Sequence, residues 1–363
     1  MSDHADSAVA RRAAAPEPAV PPPGGPAPED GQRRARDGAG NGGGRRWAGI
    51  GPTQVIYLAL LGVMAAGWVL VAIDGGDFLT LETVVGIQQR SAALGIVAVG
   101  QTLAILAGSL DLSVAYVISL TSLVAAEIMA GRDGGILPAL AAALAVSALI
   151  GLVNGLVITR LQVHAFIATL GTALIVKGVL DHLYDGPAGR VPESFQRLGY
   201  DRLGPVPVSA LLWAGVAAAA WFLLRRTRLG YRIYAVGGDA EVARLSGVRT
   251  GRVIVATHVL CSVCAGIAGL LLASRLGAGA PTVGTDGGYD LESIAAVVLG
   301  GTALAGGRGG VGGTVGGVLL LAVLDSVFNQ LEVNAFAKDV VRGVVIVAAV
   351  AVYARRTSRR RSR

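Results

Sequence analysis

The chain has 363 residues, of which 53% are hydrophobic and only 15% are charged, against about 25% charged residues in a typical soluble protein. With a mean hydropathy of +0.61, it has too few polar side chains to cover a soluble fold of this size, and an integral membrane protein is predicted. The net charge of +7 does not indicate a nucleic-acid-binding protein, because the arginines cluster beside apolar runs, at 1–49, 225–252 and 355–363.

The first 49 residues are rich in Ala, Pro, Gly and Arg and cannot form a hydrophobic core. They are predicted to be a disordered cytoplasmic tail, and they lack the apolar stretch and cleavage site of a signal peptide. A second interpretation is a weak electrostatic tether to anionic lipid through the arginines of this tail. Residues 355–363 form a basic tail that is also expected in the cytoplasm.

Apolar runs long enough to cross a bilayer fill most of residues 50–354, which we predict to be one transmembrane domain. A hydrocarbon core of about 30 Å needs roughly 20 helical residues. The predicted spans are 54–73, 84–108, 113–130, 136–158, 165–183, 208–224, 253–275, 291–307, 311–331 and 339–354. This even number places all three arginine clusters on one face, so both termini are expected in the cytoplasm. The predicted fold class is all-α, a polytopic transmembrane helix bundle of about ten spans.

Two patterns bear on how these helices pack. The segment LGTAL at 170–174 resembles LGGTAL at 299–304, five spans later, and an odd offset predicts an inverted repeat. Glycines spaced by four predict a close approach between helices. These pairs are Gly309/Gly313, Gly312/Gly316 and Gly313/Gly317.

Polar residues within spans are costly and usually face the bundle interior or a water-filled path. The candidates for lining a substrate path are Gln101, Asp111, Ser113, Asn154, Thr169 and Thr172. Asp111 either lines the path or, like Ser109, caps the next helix. Asn154 either lines the path or hydrogen-bonds a neighbouring helix. Other polar residues in spans are Lys177, Asp325 and Asn329.

The sequence contains no catalytic motif and no metal-ligand pattern, so neither an enzyme nor a bound cofactor is predicted. Cys261 and Cys264 form a CxxC, but the chain has no second pair, and His258 is the only histidine nearby. We therefore assign both cysteines a buried, apolar packing role.

The longest internal loop, 225–252, contains residues that typically start and stop a helix. Gly237 and Gly238 are predicted to break the chain, and Asp239 is predicted to cap a short helix that Gly247 ends in the left-handed conformation.

This short helix is predicted to have an apolar side made by Val242, Ala243 and Leu245, with Glu241 and Arg244 toward the other side. A helix of two turns is not stable alone. It therefore docks either on its own bundle or on a cytoplasmic partner.

Four long segments resemble the inner-membrane permeases of ribose-type ABC sugar importers. They are AALGIVAVGQTLAILAGSLDLSVAYVISL (92–120), GLVNGLVITRLQVHAFIATLGTALIVKG (151–178), GDAEVARLSGV (238–248) and LESIAAVVLGGTALAGGRGGVGGTVGGVLL (291–320). The resemblance covers about residues 80–350. It implies a non-catalytic subunit of the bacterial inner membrane that forms the path for a monosaccharide of the ribose, xylose or galactose class.

The resemblance also implies partners: a cytoplasmic ABC ATPase subunit, an extracytoplasmic sugar-binding protein and a second permease copy in a homodimer. The ATPase-docking segment of the family resembles a stretch comprising Gly237, Gly238, Asp239, Glu241, Ala243, Arg244, Leu245, Ser246 and Gly247. The family often has Asn at the position of Asp239, and Pro-Pro where this chain has Val163 and His164. His164 is left without an assigned role.

Two alternatives remain open from the sequence. The same architecture could carry a non-sugar solute such as a nucleoside or a branched amino acid. An ion-coupled secondary transporter or channel would instead need a buried acid, for which Asp111 and Asp325 are the candidates.

Overall fold

The computed structural model describes residues 51–334, 336–338, 340–341 and 343–344. Its helices are α1 (Pro52–Ile73), α2 (Leu81–Leu106), α3 (Val114–Met129), α4 (Ile136–Arg160), α5 (Ala165–Leu183), α6 (Glu193–Tyr200), α7 (Val208–Arg226), α8 (Arg228–Gly238), α9 (Ala240–Leu245), α10 (Thr250–Leu276), α11 (Val283–Asp286), α12 (Tyr289–Leu299) and α13 (Val311–Gln330). A 3₁₀ turn, Asp133–Gly135, precedes α4, and the strands β1 (Arg202–Leu203) and β2 (Val206–Pro207) form an antiparallel hairpin. The predicted tails and most of the last predicted span lie outside the described residues.

Within the described residues, seven helices are long and apolar enough to cross a membrane: α1, α2, α4, α5, α7, α10 and α13. The apolar α3 has 16 residues, which span about 24 Å, less than a bilayer core of about 30 Å. The predicted all-α, polytopic bundle is confirmed.

Buried side chains are concentrated in α2, α3, α10 and α13, which form the centre of the bundle. The surrounding helices α1, α4, α5 and α7 carry large apolar side chains that are exposed, among them Leu61, Leu137, Ile175 and Phe222. A helix that is apolar all round and exposed on one side fits a lipid-facing position. The central helices are therefore shielded from lipid by the outer ones.

Glycine lets two of the helices approach closely. A Cβ atom on Gly313 would lie 2.0 Å from the carbonyl oxygen of Gly300, and one on Gly317 would lie 2.1 Å from that of Ala296. Both contacts hold α13 against α12, so the predicted close approach is confirmed for this pair. Gly312, by contrast, faces open space.

The predicted span 291–307 is wrong in its second half. α12 ends at Leu299, and residues 300–310 form an unwound loop before α13. Four glycines of this loop have positive φ angles: Gly301, Gly306, Gly307 and Gly309. These φ values suit glycine and stop a helix. A hydropathy pattern does not reveal this, because glycine is nearly neutral on a hydropathy scale and does not interrupt an apolar run.

The two segments that suggested an inverted repeat differ in conformation. Residues 170–174 lie inside α5, whereas residues 299–304 run from the last residue of α12 into the loop. The inverted repeat stays a prediction.

The loops group at two ends of the bundle. At the first, which we call the Arg190 end, the N–H of Gly131 donates to the carbonyl of Arg190 (2.7 Å), and Ala188 pairs with Gly279. At the second, which we call the Gly237 end, the loops 107–113 and 300–310 meet the end of α8. This grouping is what the predicted alternation of spans requires.

Several short elements were not predicted from the sequence. Residues 228–238 of the predicted long loop form α8, which begins where the Thr227 side chain accepts a hydrogen bond from the N–H of Gly230 (3.2 Å). α6 and the β1–β2 hairpin lie at the Arg190 end. α8 shortens the predicted loop 225–252, and α6 and the hairpin occupy part of the interval between the predicted spans 165–183 and 208–224.

Candidate functional site

The loop 107–113 interrupts the bundle between α2 and α3. α2 stops with paired hydrogen bonds, from the N–H of Ser109 to the carbonyl of Ala104 (3.0 Å) and from the N–H of Gly108 to that of Ile105 (2.9 Å). Gly108 has a φ of +79°, the left-handed conformation that this helix ending requires. Non-helical backbone in a membrane protein is tolerated where protein surrounds it or where it lines a water-filled cavity. Protein surrounds this loop, because Asp111 at its centre is fully buried.

The carboxylate of Asp111 accepts hydrogen bonds at both oxygens. Its Oδ1 accepts from the N–H of Ser113 (2.9 Å) and from the Ser113 hydroxyl (2.5 Å). Its Oδ2 lies 3.3 Å from Nδ1 of His258 and accepts from the Ser262 hydroxyl at 3.4 Å. A buried carboxylate needs such partners, because leaving it unpaired would be very costly.

The capping role predicted for Asp111 or Ser109 is wrong in position. The N-cap residue of α3 is Ser113. Asp111 acts two residues earlier, by accepting the N–H of Ser113 as in an Asx turn. Ser109 faces α10, where its Oγ lies 2.7 Å from Nε2 of His258.

His258 of α10 bridges the loop by contacting Ser109 through Nε2 and Asp111 through Nδ1. Hydrolases use the same Ser–His–Asp order to activate a nucleophile. Here all three side chains are buried, so the hydroxyl is not open to a substrate. The bridge therefore holds the loop against α10.

Side chains of α4 and α5 hold the other side of the loop. Asn154 of α4 donates to the hydroxyl of Ser113 (2.9 Å) and accepts from that of Thr172 on α5 (2.6 Å). The N–H of Leu112 donates to the hydroxyl of Thr169, also on α5 (3.2 Å). The predicted contact of Asn154 with a neighbouring helix is confirmed.

Gln101 of α2 holds the backbone of Asp111. With its amide oxygen turned toward the Asp111 N–H, it accepts from that N–H and donates to the Asp111 carbonyl, both at 3.3 Å. This orientation satisfies two buried backbone groups that would otherwise lack partners.

All six predicted path residues thus belong to one hydrogen-bonded cluster around the loop. We call it the Asp111 network, and its side chains are those of Gln101, Ser109, Asp111, Ser113, Asn154, Thr169, Thr172, His258 and Ser262. Of the predicted six, Thr172 alone is partly exposed. The contacts fix the loop, and a role in lining the path stays a prediction.

Sequence reasoning missed Ser109, His258 and Ser262 as members of this cluster. His258 carries the same signal as Asp111, an ionisable residue inside an apolar run, but its place beside the CxxC motif draws attention to metal binding instead. Among the described residues, no group of three or more His, Cys, Asp and Glu side chains could hold a metal ion.

The other polar residues singled out in spans lie elsewhere. Lys177 forms an exposed ion pair with Asp181, one turn further along α5. Asn329 accepts a hydrogen bond from Lys338 (2.6 Å). Cys261 and Cys264 are free and buried in an apolar cluster, as predicted, and the Cys261 thiol also lies 3.3 Å from the Gln101 side chain.

The short helix predicted at the Gly237 end is α9. The carboxylate of Asp239 accepts from the N–H groups of Glu241 (2.9 Å) and Val242 (3.0 Å), so the predicted N-cap is confirmed. Gly247 has a φ of +81°, and the N–H of Val248 donates to the carbonyl of Ala243 (3.0 Å), which ends the helix as predicted. Both ends of α9 are therefore fixed.

The single apolar side predicted for α9 is wrong. Ala243 is buried against Val253 of α10 and its neighbours, whereas Val242 and Leu245 are 58% and 78% exposed. α9 therefore docks on its own bundle through one small residue and presents two larger apolar side chains outward.

Charged side chains accompany these apolar ones on the outer face of α9. The guanidinium of Arg244 donates to both carboxylate oxygens of Glu241, at 3.0 and 2.6 Å. This hydrogen bonding by Arg244 lowers the pKa of Glu241 below its usual value. The pair remains ionised at neutral pH and gives α9 a fixed charge pattern.

Known proteins resemble this chain over most of its length. Residues 83–350 match the family described as branched-chain amino acid transport system / permease component. The ribose import permease RbsC of Escherichia coli K12 is 39% identical over 304 residues, which cover 82% of this chain and 92% of that protein. RbsC of Bacillus subtilis is 38% identical over 288 residues, covering 78% and 88% of the two chains. No solved structure gives a significant match.

A relative named for another sugar is similar to the same degree. The L-arabinose transport system permease AraH of Escherichia coli K12 is 37% identical over 294 residues, which cover 80% of this chain and 88% of AraH. The family match contains both the Asp111 network and α9. The chain is therefore a multi-pass membrane protein that belongs to this family of transport-system permeases.

Proposed function

We propose that this chain is the permease subunit of an ABC importer that carries a monosaccharide. The observation that carries the proposal is identity of 37–39% with permeases named for ribose and L-arabinose, over 80–82% of this chain. A permease named for galactose and methyl galactoside is also similar, at 31%. The family description names branched-chain amino acids, but the relatives above carry sugar names, which favours a sugar over an amino acid.

We propose that α9 is the surface on which a separate ATPase docks. Its outer face combines the exposed Val242 and Leu245 with the charged Glu241 and Arg244. Apolar side chains ringed by charge are typical of protein interfaces. The helix is also fixed at both ends, so a push on it would move it as a unit.

The Gly237 end then faces the cytoplasm, and both termini lie on that side. The arginine-rich segment 225–252 supports this orientation, since positive charge marks cytoplasmic loops. The permease itself is not catalytic in this scheme, because ATP hydrolysis by the partner supplies the energy. A sugar-binding protein would deliver the solute at the Arg190 end.

A second copy of the chain is part of the proposal. Five of the six predicted path residues are fully buried within one chain, and each is hydrogen-bonded to another of them or to the backbone of the loop 107–113. One chain thus does not present them to a solute, which favours a passage between two copies. Thr172 on α5 is the network residue nearest to such a passage, because it is partly exposed.

The ion-coupled alternative is less well supported. Both oxygens of Asp111 already accept hydrogen bonds from protein donors, so this carboxylate would first have to release them to bind an ion. The resemblance of the four sequence segments to ABC importer permeases also favours an ATP-driven subunit.

Replacing Leu245 tests the docking surface. Leu245→Asp places a charge on the outer face of α9, and we expect the ATPase to stop co-purifying and ATP-dependent uptake of ribose to fall by about tenfold or more, as for an interface hot spot. Leu161→Asp is the matched control, because Leu161 is 69% exposed and follows α4 at the Gly237 end. Uptake driven by an ion gradient and indifferent to ATP depletion would contradict the proposal.

A further inference from the structure

Three backbone segments meet without intervening side chains at the Gly237 end. A Cβ atom on Gly237 would lie 1.8 Å from the carbonyl oxygen of Leu106 and 2.6 Å from the nitrogen of Gly307. The N–H of Gly307 donates to that same Leu106 carbonyl (3.0 Å). The ends of α2 and α8 and the loop 300–310 are therefore in direct backbone contact.

Further contacts make this meeting point firm. A Cβ atom on Gly306 would lie 2.8 Å from the nitrogen of Gly108 and from the oxygen of Gly237. The hydroxyl of Tyr234 on α8 donates to the carbonyl of Gly309 (3.0 Å). We call these contacts around Gly237 the glycine joint.

The glycine joint lies between the two functional regions of the molecule. On one side, Gly237 is two residues before Asp239, the N-cap of α9. On the other, Leu106 is followed within five residues by Asp111. Close-packed backbone cannot absorb a displacement by rotating side chains, so a movement of α8 passes to the loop 107–113.

We propose that Gly237 is a positioning residue for coupling, through which a movement of α9 reaches the Asp111 network. The proposal rests on the proposed role of α9 as the ATPase dock. The joint works because a glycine at 237 lets α8 press on the Leu106 carbonyl directly. A side chain at position 237 would push α8 away from α2. A movement of α9 could then reach the Asp111 network only through α10.

A second route runs from α9 to the same cluster. Ala243 and Val253 of α10 belong to one hydrophobic cluster, and α10 carries His258. The two routes converge on Asp111, from its backbone side through α2 and from its carboxylate through His258. The test must therefore weaken the glycine joint while leaving the α10 contact in place.

Two neighbouring glycines provide a matched pair of variants. Gly237→Ala introduces the overlap with Leu106, whereas a Cβ atom on Gly238 would meet nothing within 4 Å. Both variants are assembled in nanodiscs with the ATPase and with ribose-loaded binding protein, and ATP hydrolysis is measured with and without the binding protein. Stimulation is the ratio of hydrolysis with the binding protein to hydrolysis without it, taken for each variant that assembles. For Gly237→Ala we expect this ratio to fall by about fivefold or more, the lower range of coupling between sites. Gly238→Ala should keep the wild-type ratio.

A milder variant covers the case in which Gly237→Ala does not fold. Tyr234→Phe removes one hydrogen bond of the joint and adds no atom, and we expect stimulation to fall by about twofold to fivefold with assembly intact. Stimulation equal to wild type in whichever variant assembles would overturn the proposal and leave α10 as the route. A wild-type chain that binds no ATPase would instead overturn the proposed function, so the two failures are distinguishable.

Discussion

The bundle contains two unwound segments, 107–113 and 300–310, which are held in different ways. The first is held by side chains of α2, α4, α5 and α10 that converge on Asp111 and its neighbours. The second is held mainly by its own backbone, as when the N–H of Ala303 donates to the carbonyl of Arg308 (2.8 Å). A loop held by side chains of four helices responds to their movement, whereas a loop held mainly by its own backbone behaves as a rigid piece, also where it contacts α2 and α8.

This difference gives the two loops different roles at the Gly237 end. The loop 300–310, which we call the glycine-rich loop, provides a rigid contact surface for α8. The loop 107–113, which we call the polar loop, changes when α4, α5 and α10 move relative to each other. Substitutions that remove side-chain bonds should therefore damage the first loop most, and substitutions that disturb backbone conformation should damage the second.

The largest effect is expected from removing the carboxylate at the centre of the polar loop. Asp111→Ala leaves the buried donors of Ser113, His258 and Ser262 without an acceptor, and each buried polar group left without a partner costs about 1–3 kcal/mol. We expect a clear fall in the melting temperature of the purified protein in nanodiscs, together with loss of uptake.

The control for this variant is an exposed aspartate. Asp181→Ala breaks the ion pair with Lys177 on the surface of α5, and an exposed ion pair contributes little to stability. If the melting temperatures of the Asp111→Ala and Asp181→Ala proteins agreed within a degree or two, the stability of the polar loop would not depend on the Asp111 network.

A somewhat smaller effect is expected from disturbing the backbone of the glycine-rich loop. Gly309 has a φ of +132°, and a Cβ atom there would lie 2.5 Å from the Cα atom of Thr302. Gly309→Ala should cost about 2–4 kcal/mol in the free energy of unfolding, from backbone strain and overlap together.

Gly310→Ala is the neighbouring control, read out by the same melting curves. A Cβ atom at 310 would lie 3.4 Å from its nearest contact, the hydroxyl of Tyr234, and the φ of 162° is extended backbone. Equal melting temperatures for the two variants would show that backbone conformation does not hold this loop.

The smallest effect is expected from removing a side-chain bond in the glycine-rich loop. Thr302→Val keeps the shape of the side chain and removes the hydroxyl that accepts from the N–H of Gly310 (3.3 Å). The expected cost is about 1 kcal/mol, the value of one ordinary hydrogen bond. A loss as large as that of Asp111→Ala would mean that both loops depend on side chains, and the comparison would fail.

Much of the fold was predictable because apolar runs of spanning length carry a strong signal. The predicted spans 165–183 and 311–331 agree with α5 and α13 to within a residue at each end. The prediction failed at 300–310, because the φ angles of Gly301 and Gly306 depend on contacts that a hydropathy pattern does not contain. α8 was missed since it is short and follows α7 almost without a break.

The candidate site was predictable in its members but not in its arrangement. Asp111 and Asn154 were conspicuous as polar residues in apolar surroundings, and both belong to the Asp111 network. His258 is 147 residues from Asp111 along the chain, and only tertiary packing brings the two together. The predicted chain break at Gly237 and Gly238 is wrong, because both are the last helical residues of α8. The carbonyl of Leu106 that requires glycine at 237 is likewise visible only in the structure.

The deep burial of α2 has a consequence for how the protein is made. α2 is the least apolar of the seven long helices and the most fully enclosed, and its main neighbours include α10 and α13. The ribosome completes α2 well before either neighbour has been synthesised, so its polar residues first meet lipid or the insertion machinery. Biogenesis must hold this helix in a provisional position until the second half of the polypeptide arrives to surround it.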